Sequence, residues 1–189
     1  MSIEICNVGT FEVKSDKLIV TDPCYDTDSI GRINGVIENP LQGTWCAVIE
    51  MTNDTGGWGN RVARLSVYHQ DHREAFPCET VNFPVFVDSG QAGIFDFALY
   101  PKSDEDRGEY GDLTKFYGQV CEITLEEDGG CVSFGAASRS GYGDGSYRCF
   151  VSRKDGMVVA AEIVFIDDEE DEDEEEEDFE EDEYDDEEE

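Results

Sequence analysis

Apolar and polar positions along the first hundred residues alternate in short runs, each stopped by turn-forming residues, and this pattern predicts strands. Glu4 to Cys6 and Thr10 to Lys14 flank a turn at Asn7-Val8-Gly9, and Lys17 to Thr21 is a β-branched run ended by Asp22-Pro23. Thr44 to Thr52 is long and apolar and stops at Asn53-Asp54-Thr55-Gly56-Gly57, a segment suited to positive φ. Arg61 to His69 has strong β propensity. Thr80 to Val87 is rich in Val and Phe, but Pro84 marks it as an edge or a bulge, and Ala92 to Leu99 follows a Gly-rich turn. One stretch departs from this rhythm. Phe116, Val120, Cys121, Ile123 and Leu125 partly fit a 3.6-residue period and predict a helix over Leu113 to Leu125, weakened by Gly118. Strands return at Cys131 to Ala137, Ser146 to Ser152 and Met157 to Ile166, the last pair joined by an Asp155-Gly156 hairpin turn. The expected fold is mainly β, a sandwich or strongly bent antiparallel sheet with at most one or two short helices.

Composition divides the chain sharply. From Asp167 to Glu189 there are 23 residues, of which all but Phe179 and Tyr184 are Asp or Glu. Such a run repels itself and has little apolar surface to bury, so residues 167–189 are expected to be a disordered polyacidic tail behind a globular domain over 1–166. The formal charge is −34 for the whole chain. The domain itself carries 26 acidic and 13 basic residues. Charge of this sign repels nucleic acid and anionic membranes, so neither is expected as a direct partner. A basic protein held through the acidic tail is the partner it favours.

Seven cysteines, an odd number with no CxxC pair, read as free thiols rather than a disulfide framework. With no signal-like N-terminus and no apolar run of about 18 residues, this points to the cytoplasm. Cys24 has Asp22 and Asp26 close in sequence, which disfavours a thiolate nucleophile. His69 and His72 form HxxH without the two further ligands zinc needs. Asp26, Asp28 and Gly31 match positions 1, 3 and 6 of a calcium loop, but Ile37 stands where position 12 requires Glu. No metal or cofactor is expected.

Three segments hold more Gly, Asp and aromatic residues than turns require. They are Thr21 to Asp26, Val87 to Asp96 and Ser138 to Tyr147. The candidate ligand- or partner-binding residues are Asp22, Cys24, Tyr25 and Asp26 from the first, Asp88, Ser89, Gln91 and Asp96 from the second, and Arg139, Tyr142 and Asp144 from the third. The motifs DPCY, WGNRVARL, VDSGQAGIFD and SGYGDGSY, in this order from Asp22 to Tyr147, resemble the bacterial domain-of-unknown-function 4241 family. The resemblance spans about Leu18 to Ile166 and implies no activity, ligand or catalytic residue.

The residues themselves support three functional expectations. The first is a non-enzymatic binding or regulatory domain using the surface of the three segments. The second is a metal-assisted hydrolase with an acidic site from Asp22, Asp88 and Asp144. The third is an acidic decoy or immunity-type protein occupying a basic nucleic-acid-binding site on its partner.

Overall fold

The structure is a computed structural model and describes residues 4–27, 35–54 and 59–167. The expected polyacidic tail, Asp167 apart, Asp28 and Gly31 of the calcium-loop match, and Thr55 to Gly57 of the expected turn lie outside these residues. In chain order the strands are β1 (Glu4–Val13), β2 (Lys17–Thr21), β3 (Gly35–Glu38), β4 (Gly43–Asp54), β5 (Gly59–His69), β6 (Glu79–Thr80), β7 (Val85–Val87) and β8 (Gln91–Asp96). Two helices follow, α1 (Asp104–Arg107) and α2 (Phe116–Glu127). The remaining strands are β9 (Gly129–Val132), β10 (Gly135–Arg139), β11 (Gly145–Lys154) and β12 (Met157–Val164). A single 3₁₀ turn spans Gln70–His72.

These strands form two antiparallel sheets. The larger runs β1-β4-β5-β12-β11-β6, with β7 also on β11, and the smaller runs β3-β2-β8-β10-β9. Among the described residues both strand orders end at edges paired on one side alone, so the sheets are open. One core cluster draws Leu18, Val20, Ile94 and Ala136 from the smaller sheet and Trp45, Leu65, Val67 and Ile163 from the larger. A second cluster lies on the opposite face of the smaller sheet, where Ile19, Phe95 and Ala137 meet Phe116 and Val120 of α2. Phe95, Tyr100 and Phe116 contact one another there with ring centroids 5.1–5.3 Å apart.

The expectation of a sandwich or strongly bent sheet is therefore corrected. The domain is mixed α/β, mostly open antiparallel sheet with two short helices. The reason is visible in β8, whose six residues are all buried because α2 covers the face that would otherwise meet solvent. Helix α2 starts three residues later than expected. Gly118 serves packing there, since a Cβ would lie 2.1 Å from the Asp112 carbonyl oxygen. The turn expected at Asn7 to Gly9 is a bulge inside one continuous strand, with the Asn7 side chain accepting from the Gly9 amide. Thr80 to Val87 is not one strand: Thr80 ends β6, Val85 to Val87 form β7, and Pro84 stands just before β7.

Candidate functional site

Asp22 follows β2 and is fully buried. One carboxylate oxygen accepts from the Asp88 amide at 2.8 Å and the Ser89 amide at 2.7 Å. The other accepts from the Cys24 amide at 2.8 Å and the Ser89 hydroxyl at 2.6 Å. Pro23, which offers no amide hydrogen, turns the chain so that Cys24 reaches back to Asp22. The β7–β8 turn, Asp88 to Gly90, is thus held by the carboxylate of a residue 66 positions earlier. The Tyr25 hydroxyl donates to Asp88, and Tyr100 donates to the Tyr25 carbonyl at 2.7 Å.

The third segment joins on the far side of this turn. Asp144 accepts from the Gly90 amide at 3.0 Å, and the Ser140 amide donates to the Gly90 carbonyl at 3.0 Å. Tyr147 donates to the carbonyls of Ser140 and Gly143, closing the glycine loop on itself. Gly141 has φ of 57°, and a Cβ there would come within 3.0 Å of Phe165 and 3.1 Å of Ile166, so both conformation and space call for glycine.

The structure therefore brings Asp22, Cys24, Tyr25, Asp88, Ser89 and Asp144 into one hydrogen-bonded hub. Asp26 is buried beside it and acts electrostatically on Arg107. Tyr142 is exposed on the glycine loop. Gln91 points to the sulfur of Cys121 in α2, 3.7 Å from its amide nitrogen. Arg139 closes the end of α2, donating to the carbonyls of Thr124 and Leu125 at 2.9 Å each and pairing with Asp128 at 3.3 Å. Asp96 is not brought to the hub. It sits at the other end of β8, five residues or roughly 17 Å from Gln91. There it accepts from the amides of Lys14, Ser15 and Ala98.

The chemistry of the hub is that of a scaffold. Burial, followed by the Asp22 carboxylate, pushes the Cys24 thiol far above its ordinary range. Burial and the bond to Asp88 push the Tyr25 hydroxyl up likewise. Among the described residues, no group of three or more His, Cys, Asp or Glu side chains is placed to hold a metal ion.

A feature with no local signature in the sequence lies apart from the hub, where Asp128 pairs with Arg139. It is a cleft of about 580 Å³ between the edge strands of the two sheets, β1 and β9, and the C-terminal end of α2. Ile49 and Met51 form its floor, Val8 and Ile123 its walls, and Glu4 and Glu127 stand at its exposed rim. Among the described residues, no Lys or Arg lines it. Two half-buried thiols, Cys6 and Cys131, also face it. Burial raises both, Cys131 to about 12, and Glu4 adds to the effect at Cys6.

No family model matches the chain, and no curated protein or solved structure is significantly similar to it.

Proposed function

We propose that this chain is a non-enzymatic binding domain whose partner is positively charged. The observation that carries this reading is the occupancy of its closest carboxylates. Asp22, Asp88 and Asp144 converge as an acidic site would require, yet each accepts hydrogen bonds from the chain itself. A hydrolase would need those oxygens for a metal or a water. Here they fix the turns, and the turns hold the adjoining surface in shape.

The partner class follows from charge. With acids outnumbering bases 26 to 13 over residues 1–166 and 21 acids beyond, electrostatic steering favours a basic protein over nucleic acid or an anionic membrane. Occupation of a partner's basic nucleic-acid-binding site is one form this binding could take. No helix among the described residues is long and apolar enough to cross a membrane. All seven cysteines are free, which suits a reducing compartment, and we place the chain in the cytoplasm. Kinship with the domain-of-unknown-function 4241 family is part of the same proposal and rests on the four motifs alone.

The test is capture from native lysate on the full chain across a salt series. Retained proteins should be basic and should elute between about 0.1 and 1 M salt, as the Debye length falls from about 10 Å to about 3 Å. Capture of mainly acidic proteins, or capture indifferent to salt, would overturn the reading.

A further inference from the structure

The cleft at the end of α2 has a shape that charge alone does not explain. Its two long sides are strand edges. Among the described residues, β1 is the terminal strand of the larger sheet and pairs only with β4, and β9 is the terminal strand of the smaller and pairs only with β10. The two edges are closed together at one end. A Cβ built on Gly9 would lie 3.2 Å from the Cys131 sulfur, and the Glu12 amide bonds to the Ser133 carbonyl at 3.2 Å. The cleft lies on the Glu4 side of that closure. From Glu4 to Val8, among the described residues, no backbone group of β1 bonds to the backbone of any strand other than β4. An exposed row of unpaired amides and carbonyls is a template for an added strand.

Two properties of the cleft select what can be added. The floor is apolar, with Ile49 and Met51 nearly buried, so alternate side chains of the added strand must be apolar. The rim is acidic, with Glu4, Glu127 and Asp128 and, among the described residues, no lining Lys or Arg. Helix α2 ends there in Glu126, Glu127 and Asp128 with no basic residue in its last turn, where the helix dipole already favours a cation. Arg139 offsets only part of this, through Asp128 and the carbonyls of Thr124 and Leu125. A second copy of this chain, with its own charge of −34, would be repelled from such a rim.

We propose that the cleft between β1 and β9 receives an extended, basic segment of a partner protein. The segment adds to the free edge of β1, sets apolar side chains on Ile49 and Met51, and places Lys or Arg side chains against Glu4 and Glu127. This rests on the reading of the chain as a binding domain for a basic partner and names where and how that partner docks.

The test uses the isotope-labelled full chain and a nitroxide-tagged octapeptide of alternating lysine and valine, read by broadening of backbone amide signals. Broadening should centre on Glu4 to Val8 and Gly129 to Cys131. The double substitution Glu4→Gln, Glu127→Gln should weaken binding at these amides about tenfold, the loss of two exposed ion pairs. The same octapeptide N-methylated at alternate residues, which cannot pair as a strand, should leave these amides sharp. The inference is overturned if the lysine–valine probe broadens other surfaces and spares β1 and β9. It is overturned equally if the double substitution changes nothing, or if the N-methylated probe or free spermidine occupies the cleft as well as the strand-forming probe does. None of these results touches the broader reading, which stands or falls on whether the proteins captured from lysate are basic and salt-sensitive.

Discussion

Replacing Asp22 by alanine isolates the part of the hub that holds distant turns together. The side chain is fully buried and accepts four hydrogen bonds. Removing it orphans three amides, of Cys24, Asp88 and Ser89, and the Ser89 hydroxyl. A buried donor left without its acceptor costs about 1–3 kcal/mol. The exposed Asp88 and the half-buried Cys24 and Ser89 give water a route to some of these donors, so the sum is discounted to about 3–5 kcal/mol. That is a large part of the roughly 5–15 kcal/mol that holds a domain together. Asp22→Asn keeps one oxygen but turns an NH₂ group toward the donors, so it should recover less than half of the loss. Urea denaturation read by tryptophan fluorescence gives both values, provided the slope of the transition is unchanged. Losses below about 1 kcal/mol for both variants would refute the reasoning, because an anchoring carboxylate would then carry no load. Ser89→Ala removes one donor together with its bond and should cost only about 1 kcal/mol.

Four further outcomes are expected. Gly118→Ala should destabilise the domain by about 1–3 kcal/mol on thermal denaturation, although alanine favours helix by about 1 kcal/mol, because the new methyl meets the Asp112 carbonyl. Burial alone would raise the Asp96 carboxyl, but the amides of Lys14, Ser15 and Ala98 and the Ser15 side chain outweigh it and hold it below 3.8. Stability from Asp96 is therefore present above the unfolded-state value and lost as pH falls through the lower folded value, and Asp96→Asn should flatten that acid limb in urea titrations carried below the ordinary carboxylate range. Arg139→Ala should cost about 1–2 kcal/mol and speed hydrogen exchange in the last turn of α2, with β4 and β5 unaffected. Alkylation without reductant should find no intramolecular disulfide, with exposed Cys78 reacting first and Cys24, Cys131 and Cys149 last, since burial pushes those three thiols up.

Strand content was legible because β-branched runs and turn residues are local signals, and β4, β5, β11 and β12 fall within a few residues of their expected bounds. The layering was not. A run such as Ala92 to Leu99 reads alike whether its second face meets a sheet, a helix or water, and only the position of α2 settles which. Helix α1 went unseen because Asp-Glu-Asp-Arg has no apolar period; its one cue is Ser103, whose side chain accepts from the Asp106 amide. Clustering of Gly and Asp did mark residues that meet in space, as Asp22, Asp88 and Asp144 do. Their role was hidden, because a carboxylate reaching for a ligand and one holding a turn look the same in sequence. The cleft left no trace at all. Glu4, Cys6, Ile123, Glu127 and Cys131 belong to no motif and become neighbours only when two sheet edges are brought side by side.

The place of β12 bears on the order in which the fold can be reached. This late strand lies between β5 and β11, pairing Ile163 with Leu65 and with Cys149. Until it inserts, β1, β4 and β5 can form only a three-stranded ribbon, and β5, with Val62, Leu65 and Val67, presents an unpaired apolar edge. That edge must wait for a strand about a hundred residues further along the chain, so loop closure precedes the reward and folding is expected to be slow. During the wait the ribbon is the species most exposed to pairing with its own copies. A chain with a net charge of −34, most of it in the last 23 residues, is protected at that stage by mutual repulsion between molecules, so its acidity would serve refolding yield before it serves any partner.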